Sequence, residues 1–456
     1  MAMLCSSCVK VWAMAAFGLF TAIAAAEPVK TVRDFGAKGD GQADDTEAIE
    51  RAVAAGIGDI RFPRGVYRIT RPIVIDLDRV GPISLAADAT ARVVMAGPGP
   101  AFRLMGTHDG TADPASFKPR VWERQRSPMV DGLEIVGDHP EACGIEAAGT
   151  MQCTITRTVI RKTLHAIHLV KRNRNVIVSD CHLYENRGAG VFYDDVSLHQ
   201  SNITGCHISY NGAGGVVCRG GDVRNIHVAG CDIEGNMDPK GPPAANVLID
   251  CTGSPAGIAE IAVTGCTIQH SHVPGAANIR FVGADAKDRR WGHFTITGNV
   301  LSDVEWNIEL RKARGVTIVG NTFWMGFAGD LLAEDCSNLV IGANNFDRNP
   351  GYAYGRSLEA KGGVALVNCR DCTLTGLHLN GVQGAPAGLI LRNCSRCLVA
   401  QCTILDCDNA GALLDNVTDS RLLGCLIRND RADSRPWTAI QVRGGKGNVI
   451  ETPSAR

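Results

Sequence analysis

Titratable side chains recur along this sequence at intervals of about one repeat. Glu146, His168, Asp194, Arg219, Asp250, Arg280, Glu309 with Arg311, and Glu334 fall at outward positions of successive short strands. Such a row suits acid/base work on an anionic substrate. Arginines would pair carboxylates or sulfates while a histidine or carboxylate moves protons. It equally suits a solvated face whose cross-strand ion pairs blunt a parallel sheet. The turns leading into these strands lengthen at 235–245, 270–277 and 347–362. They collect His270, His272, Glu305, Trp306, Trp324, Tyr352 and Tyr354 in a chain with only 5% aromatic residues. Scarce aromatics beside one strip are what stacking on sugar rings needs, although they also anchor long loops.

The catalytic candidates are therefore Asp250, His272, Arg280, Glu305, Glu309 and Asp330; Asp194, Arg219, Trp306, Trp324 and Tyr352 are the candidates for binding substrate. Two reactions fit a uronic-acid-containing polysaccharide. In a lyase, His272 or an arginine removes the proton beside the uronate while Arg219 or Arg280 neutralises its carboxylate. In a hydrolase, Glu309 and Asp330 flank the scissile bond, and their separation sets the stereochemistry. Arg280, one coil from both Asp250 and Glu309, is expected to keep both ionised, which leaves Glu305 or Asp330 as the acid with a raised pKa. A non-catalytic carbohydrate-binding or surface-structural protein would keep the loops without a convergent acid/base pair. No spacing demands a cofactor or a metal; Ca2+ is compatible with the reading, but no motif supports it.

Repeats must position these residues. An apolar-x-Gly-(Cys/Asn)-x-apolar marker reads NITGCHI around Cys206, HVAGCDI around Cys231, AVTGCTI around Cys266 and TITGNVL around Asn299. It continues as TIVGNTF around Asn321 and RLLGCLI around Cys425, with most steps at 22–25 residues. Between markers lies a second motif: AIHLV, GVFYD, GVVCR, NVLID, NIRFV, NIELR and DLLAE. Short alternating strands separated by turns, with no amphipathic helix between them, exclude a βαβ array. The period is too short for propeller blades. The chain reads as all-β: a single-stranded right-handed parallel β-helix of about twelve coils.

The amino-terminal segment differs. TVRDFGAKGDG predicts a strand and a Gly-rich turn, after which AIERAVAAG forms a helix that caps the first coil. VRDFGAKGDGQADDTEAIERAV followed by FPRGVYRI closely resembles the amino-terminal signature of pectate-lyase-like proteins, a group that includes rhamnogalacturonases, alginate epimerases and phage tailspikes. The signature spans about 40 residues, and the repeats extend the resemblance to about residue 450. It implies the right-handed β-helix. It does not imply one reaction, because that fold hosts lyases, hydrolases, epimerases and adhesins. The Asn-Thr-Asp, Gly-Asp-Asp, Gly-His-Gly and Arg-Ile-Lys motifs of the polygalacturonase-type hydrolases are missing. GAGVFYDDV at 188–196 stands where the epimerases carry Tyr-Gly-Phe-Asp-Pro-His, without matching it.

Composition narrows the partners. Lys+Arg 46 against Asp+Glu 47 gives a formal charge of −1 and no basic stripe for nucleic acid. Residues 1–26 read as a signal peptide, an apolar run ending Ile-Ala-Ala-Ala before Glu27. The mature chain, 27–456 with cap and first coil at 27–75, is then expected to be secreted or periplasmic, without membrane insertion. Of 18 Cys, Cys369, Cys372, Cys394 and Cys397 have the outline of a zinc site. The two pairs are one coil apart, however, so their thiols stack on neighbouring strands. Cys181, Cys206, Cys231 and Cys266 are likewise expected to form one buried ladder of small side chains.

Overall fold

The computed structural model describes residues 29–285, 291–431 and 436–451; the expected signal peptide lies outside them. The chain winds into a right-handed parallel β-helix of about 16 turns, not twelve. The marker first appears near Leu133, whereas three strands of one face (Asp40–Asp44, Gly65–Ile69 and Ala91–Met95) precede it. That face is a sheet of 15 parallel strands. Two further ladders complete each coil, and the long strands Ile167–Ser179 and Ala189–Thr204 run round a corner to join both.

Alternation explains the core. Ile145, Ile167, Val191, Val216, Val247, Ile279, Ile308 and Leu331 lie in one register column and are all buried. Each such side chain contributes about 1.5–3 kcal/mol by leaving water. The marker has a backbone cause too: Gly205, Gly230, Gly265, Gly298 and Gly320 adopt φ of 59–71°, where glycine turns the chain at no steric cost.

The residue after each of these glycines points inward. Cys206, Cys231 and Cys266 stack with Cys181, and the column continues through Asn299, Asn321 and Asn344. The backbone N–H of Cys266 donates to Asn299 Oδ1 at 2.9 Å, so cysteine and asparagine are alternative rungs. Cys369, Cys372, Cys394 and Cys397 each donate to a carbonyl two residues upstream, at 3.3–3.4 Å. Every cysteine among the described residues is a free thiol.

The cap helix spans Thr46–Ala54 and buries Ile49, Ala52 and Val53 over the first coil. The strand expected at TVRDF is instead a 3-10 turn, Val32–Phe35, because Thr31 and Asp34 cap each other's backbone reciprocally.

Candidate functional site

The outward row resolves into two columns rather than one stripe. The first runs Arg103, Glu146, His168, Phe192, Val217, Leu248, Arg280, Glu309 and Leu332. The second runs Asp194, Arg219, Asp250, Val282, Arg311 and Glu334. Apolar Phe192, Val217 and Leu248 therefore separate the titratable groups into two clusters.

The first cluster centres on His168. Its Nε2 lies 2.9 Å from Asp194 Oδ2, and its Nδ1 lies 3.7 Å from Glu146 Oε2. Arg103 Nε holds the other Glu146 oxygen at 2.7 Å. Since a carboxylate only accepts, the Asp194 contact places the proton on Nε2 and leaves the Nδ1 lone pair on the neutral ring. Phe192 lies parallel to the ring, with centroids 5.4 Å apart. Burial opposes charge on His168, but the nearby Glu146 carboxylate and the hydrogen-bonded Asp194 carboxylate outweigh it and raise its pKa. His165 behaves oppositely: burial, then the His168 charge, push it down to about 4. The neutral His165 accepts the Ala189 N–H on Nδ1 at 3.0 Å, so its Nε2–H can donate. Arg219, the register partner of Asp194, is exposed and has no ion pair among the described residues.

The second cluster is consumed by loop anchoring. Arg280 Nε meets Glu309 Oε2 at 2.6 Å, while its other nitrogens donate to the carbonyls of Gly275 (2.5 Å) and Ala244 (3.3 Å). Glu309 also takes Arg311 at 2.8 Å, and Glu305 accepts the Gly275 N–H. Arg280 makes no ion pair with Asp250, whose Oδ1 instead accepts from Thr252. Asp330 is only 2% exposed. It ends a ladder of buried amides that runs Asn186, Asn211, Asn236, Asn246, Asn278 and Asn307. Burial pushes Asp330 up to about 6, while the Gly363 N–H and Asn307 hold its two oxygens. Asp330 thus has the raised pKa expected of an acid, but it sits inside the coil. The sequence carried the signal for this ladder, since Asn246, Asn278, Asn307 and Asp330 open four successive copies of the second motif.

The lengthened loops interlock. His272 stacks on Phe327 with centroids 3.8 Å apart, and Arg356 meets His272 Nδ1 at 3.2 Å. Burial and the Arg356 charge lower the His272 pKa. Trp306 packs against Gly329, where an added Cβ would lie 2.3 Å from the indole. Trp324, Tyr352 and Tyr354 form a row with centroids 5.5 and 5.8 Å apart, the two tyrosines exposed. Six strand spacings separate this row from His168, roughly 29 Å along the helix axis.

A depression of ≈ 540 Å³ lies on the later coils, lined by Arg314, Arg370, Arg396 and Asp371 among others. It could hold an anion. It contains no histidine and a single carboxylate, which already pairs Arg370 and Arg396.

The family model described as rhamnogalacturonase A/epimerase, pectate lyase-like, matches residues 29–81, and that of the right handed beta helix region matches 134–268. No curated protein matches the chain. Among solved structures, the N-terminal fragment of bacteriophage Phi29 gene product 12 is similar at 14% identity and a TM-score of 0.55, over 92% of this chain and 70% of that one. The tailspike protein of E. coli bacteriophage HK620, solved in complex with a pentasaccharide, is similar at 13% identity and a TM-score of 0.52, over 92% and 80%. Likeness at such identity is one of fold alone.

Proposed function

We propose that this right-handed β-helix of the pectate-lyase-like type is an exported polysaccharide lyase, which cleaves a uronic-acid-containing chain at His168. The observation that carries the reading is the hydrogen bond from His168 to Asp194, with Arg219, which has no ion pair among the described residues, one strand on. Asp194 orients the ring and strengthens it as a base, the logic of an imidazole–carboxylate pair.

The polysaccharide lies along the helix axis, so that one uronate carboxylate meets the Arg219 guanidinium and the His165 Nε2–H. These donors stabilise the negative charge that develops when C5 loses its proton. His168 Nδ1 takes that proton, the C4–O4 bond breaks, and a C4=C5 double bond forms. The imidazolium then returns the proton to the departing O4, so the step needs no co-reactant. Glu146, held by Arg103, stabilises the imidazolium between the two transfers. The exposed tyrosine row farther along the same edge offers a stacking platform for distant sugar units. The pentasaccharide on the HK620 tailspike supports an oligosaccharide ligand for this architecture.

The test is purified mature protein on pectins, alginate and glycosaminoglycans, with unsaturated ends and reducing ends both measured. Unsaturated ends that vanish in His168→Gln support the lyase. Reducing ends without unsaturation would replace it by hydrolysis, and saturable binding without cleavage by a carbohydrate-binding role.

A further inference from the structure

On the 15-stranded face, His207 stands opposite Asp232 in register, and Ser209 opposite Glu234. Asp232 and Glu234 are two residues apart on one strand, so both side chains leave the same surface. His207 Nε2 lies 3.4 Å from Asp232 Oδ2 and 3.8 Å from Glu234 Oε1. One ligand atom from each of the three lies within 4.8 Å of the others, and this is the one such group among the described residues.

Two features separate it from an ordinary surface ion pair. His207 Nε2 and Asp232 Oδ1 are shielded from solvent, yet neither has a hydrogen-bond partner among the described residues; unpaired buried polar atoms are costly unless something else fills their lone pairs. The residues themselves stay reachable, with side chains 40%, 47% and 17% exposed, which leaves an entry path. Gln269 donates to Glu234 Oε2 at 3.2 Å and turns Oε1 toward His207, as outer-shell groups orient metal ligands.

We propose that His207, Asp232 and Glu234 form a binding site for one divalent first-row transition-metal ion of the zinc type. Imidazole nitrogen with two carboxylate oxygens suits such an ion better than calcium, which prefers six to eight oxygens. Metal–ligand bonds of about 2.0–2.2 Å need the three donors to move inward by a few tenths of an ångström each, and water completes the shell. The ion would tie two adjacent coils together on a face other than that of His168.

The test is Co2+ titration of chelator-treated, full-length mature protein, followed by calorimetry, visible absorbance and melting temperature. The expected result is one equivalent bound with nitrogen/oxygen-type absorbance and a raised melting temperature. His207→Gln and Glu234→Gln should each weaken binding at least roughly tenfold. Circular dichroism of the metal-free variants separates loss of a ligand from loss of fold. Absence of saturable binding to folded protein, unchanged binding in both folded variants, or a thiolate-to-cobalt charge-transfer band would each overturn the site.

Discussion

His168 Nε2 donates to Asp194 Oδ2 at 2.9 Å across one strand boundary, so a carboxylate one coil away sets both the tautomer and the basicity of the ring. Removing the ring should therefore cost more than removing the charge. His168→Gln should lower kcat by about 10²–10⁴. Asp194→Asn, which keeps a polar contact, should shift the acid limb of the pH–rate profile downward, because the carboxylate raises the His168 pKa. An unmoved limb would mean that another group titrates.

The two histidines make opposite demands on stability. His168 has a folded pKa above its unfolded value of about 6.5. Its contribution is fully present below that value and is lost as pH rises through the folded pKa. His165 has its pKa lowered to about 4, so its contribution is present above about 6.5 and is lost as pH falls toward 4. Urea denaturation across this range should show His165→Gln flattening the acid side and His168→Gln the alkaline side. The reverse assignment would contradict the burial argument.

Arg280 is expected to matter for folding. With side chains 12% and 6% exposed, Arg280 and Glu309 are a buried pair; Arg311 still holds Glu309 when Arg280 is removed, so Arg280→Ala should cost about 1.5–3 kcal/mol, the worth of a hydrogen bond to a charged group. Arg392 pairs Asp415 with side chains 45% and 30% exposed; Arg392→Ala should cost about 0–1 kcal/mol. Melting curves compare the two directly, and equal losses would place Arg280 among ordinary surface pairs.

The thiol ladder predicts silence toward alkylation. Of the sixteen free cysteines among the described residues, all but Cys425 are buried. Burial raises Cys153 to about 12 and Cys407 to about 11, far from the reactive thiolate. Native protein should label at Cys425 alone, and unfolded protein at every site. Rapid native labelling of Cys181 or Cys206 would break the register of the coil.

Much of the coil was legible because each repeat needs a left-handed turn before a small inward rung, and glycine before cysteine or asparagine writes that need into the chain. The coil number was undercounted because the turns of the early coils beyond the first lack the marker. The separation of the outward residues into two columns was hidden, since alternation says which positions face out but not which pair across strands. Arg280 looked available to a substrate carboxylate in the sequence because its partners include the backbone carbonyls of Ala244 and Gly275, which no residue type announces. The sequence placed Glu146, His168 and Asp194 in the outward row one coil apart but did not single out His168 or Glu146 as candidates, because only the register shows that one ring reaches both carboxylates.

The central claim is that His168 removes a proton beside a uronate held by Arg219. Its most direct measurement is the formation of unsaturated uronate ends by wild-type protein, Arg219→Ala and His168→Gln on a uronan and on a neutral glucan. The account predicts unsaturated ends from the uronan alone, with Arg219→Ala raising KM and lowering kcat, and His168→Gln slowing their formation at least about a hundredfold while uronan binding persists. Unsaturated ends formed by His168→Gln at close to the wild-type rate, or equal action on the neutral glucan, would contradict it.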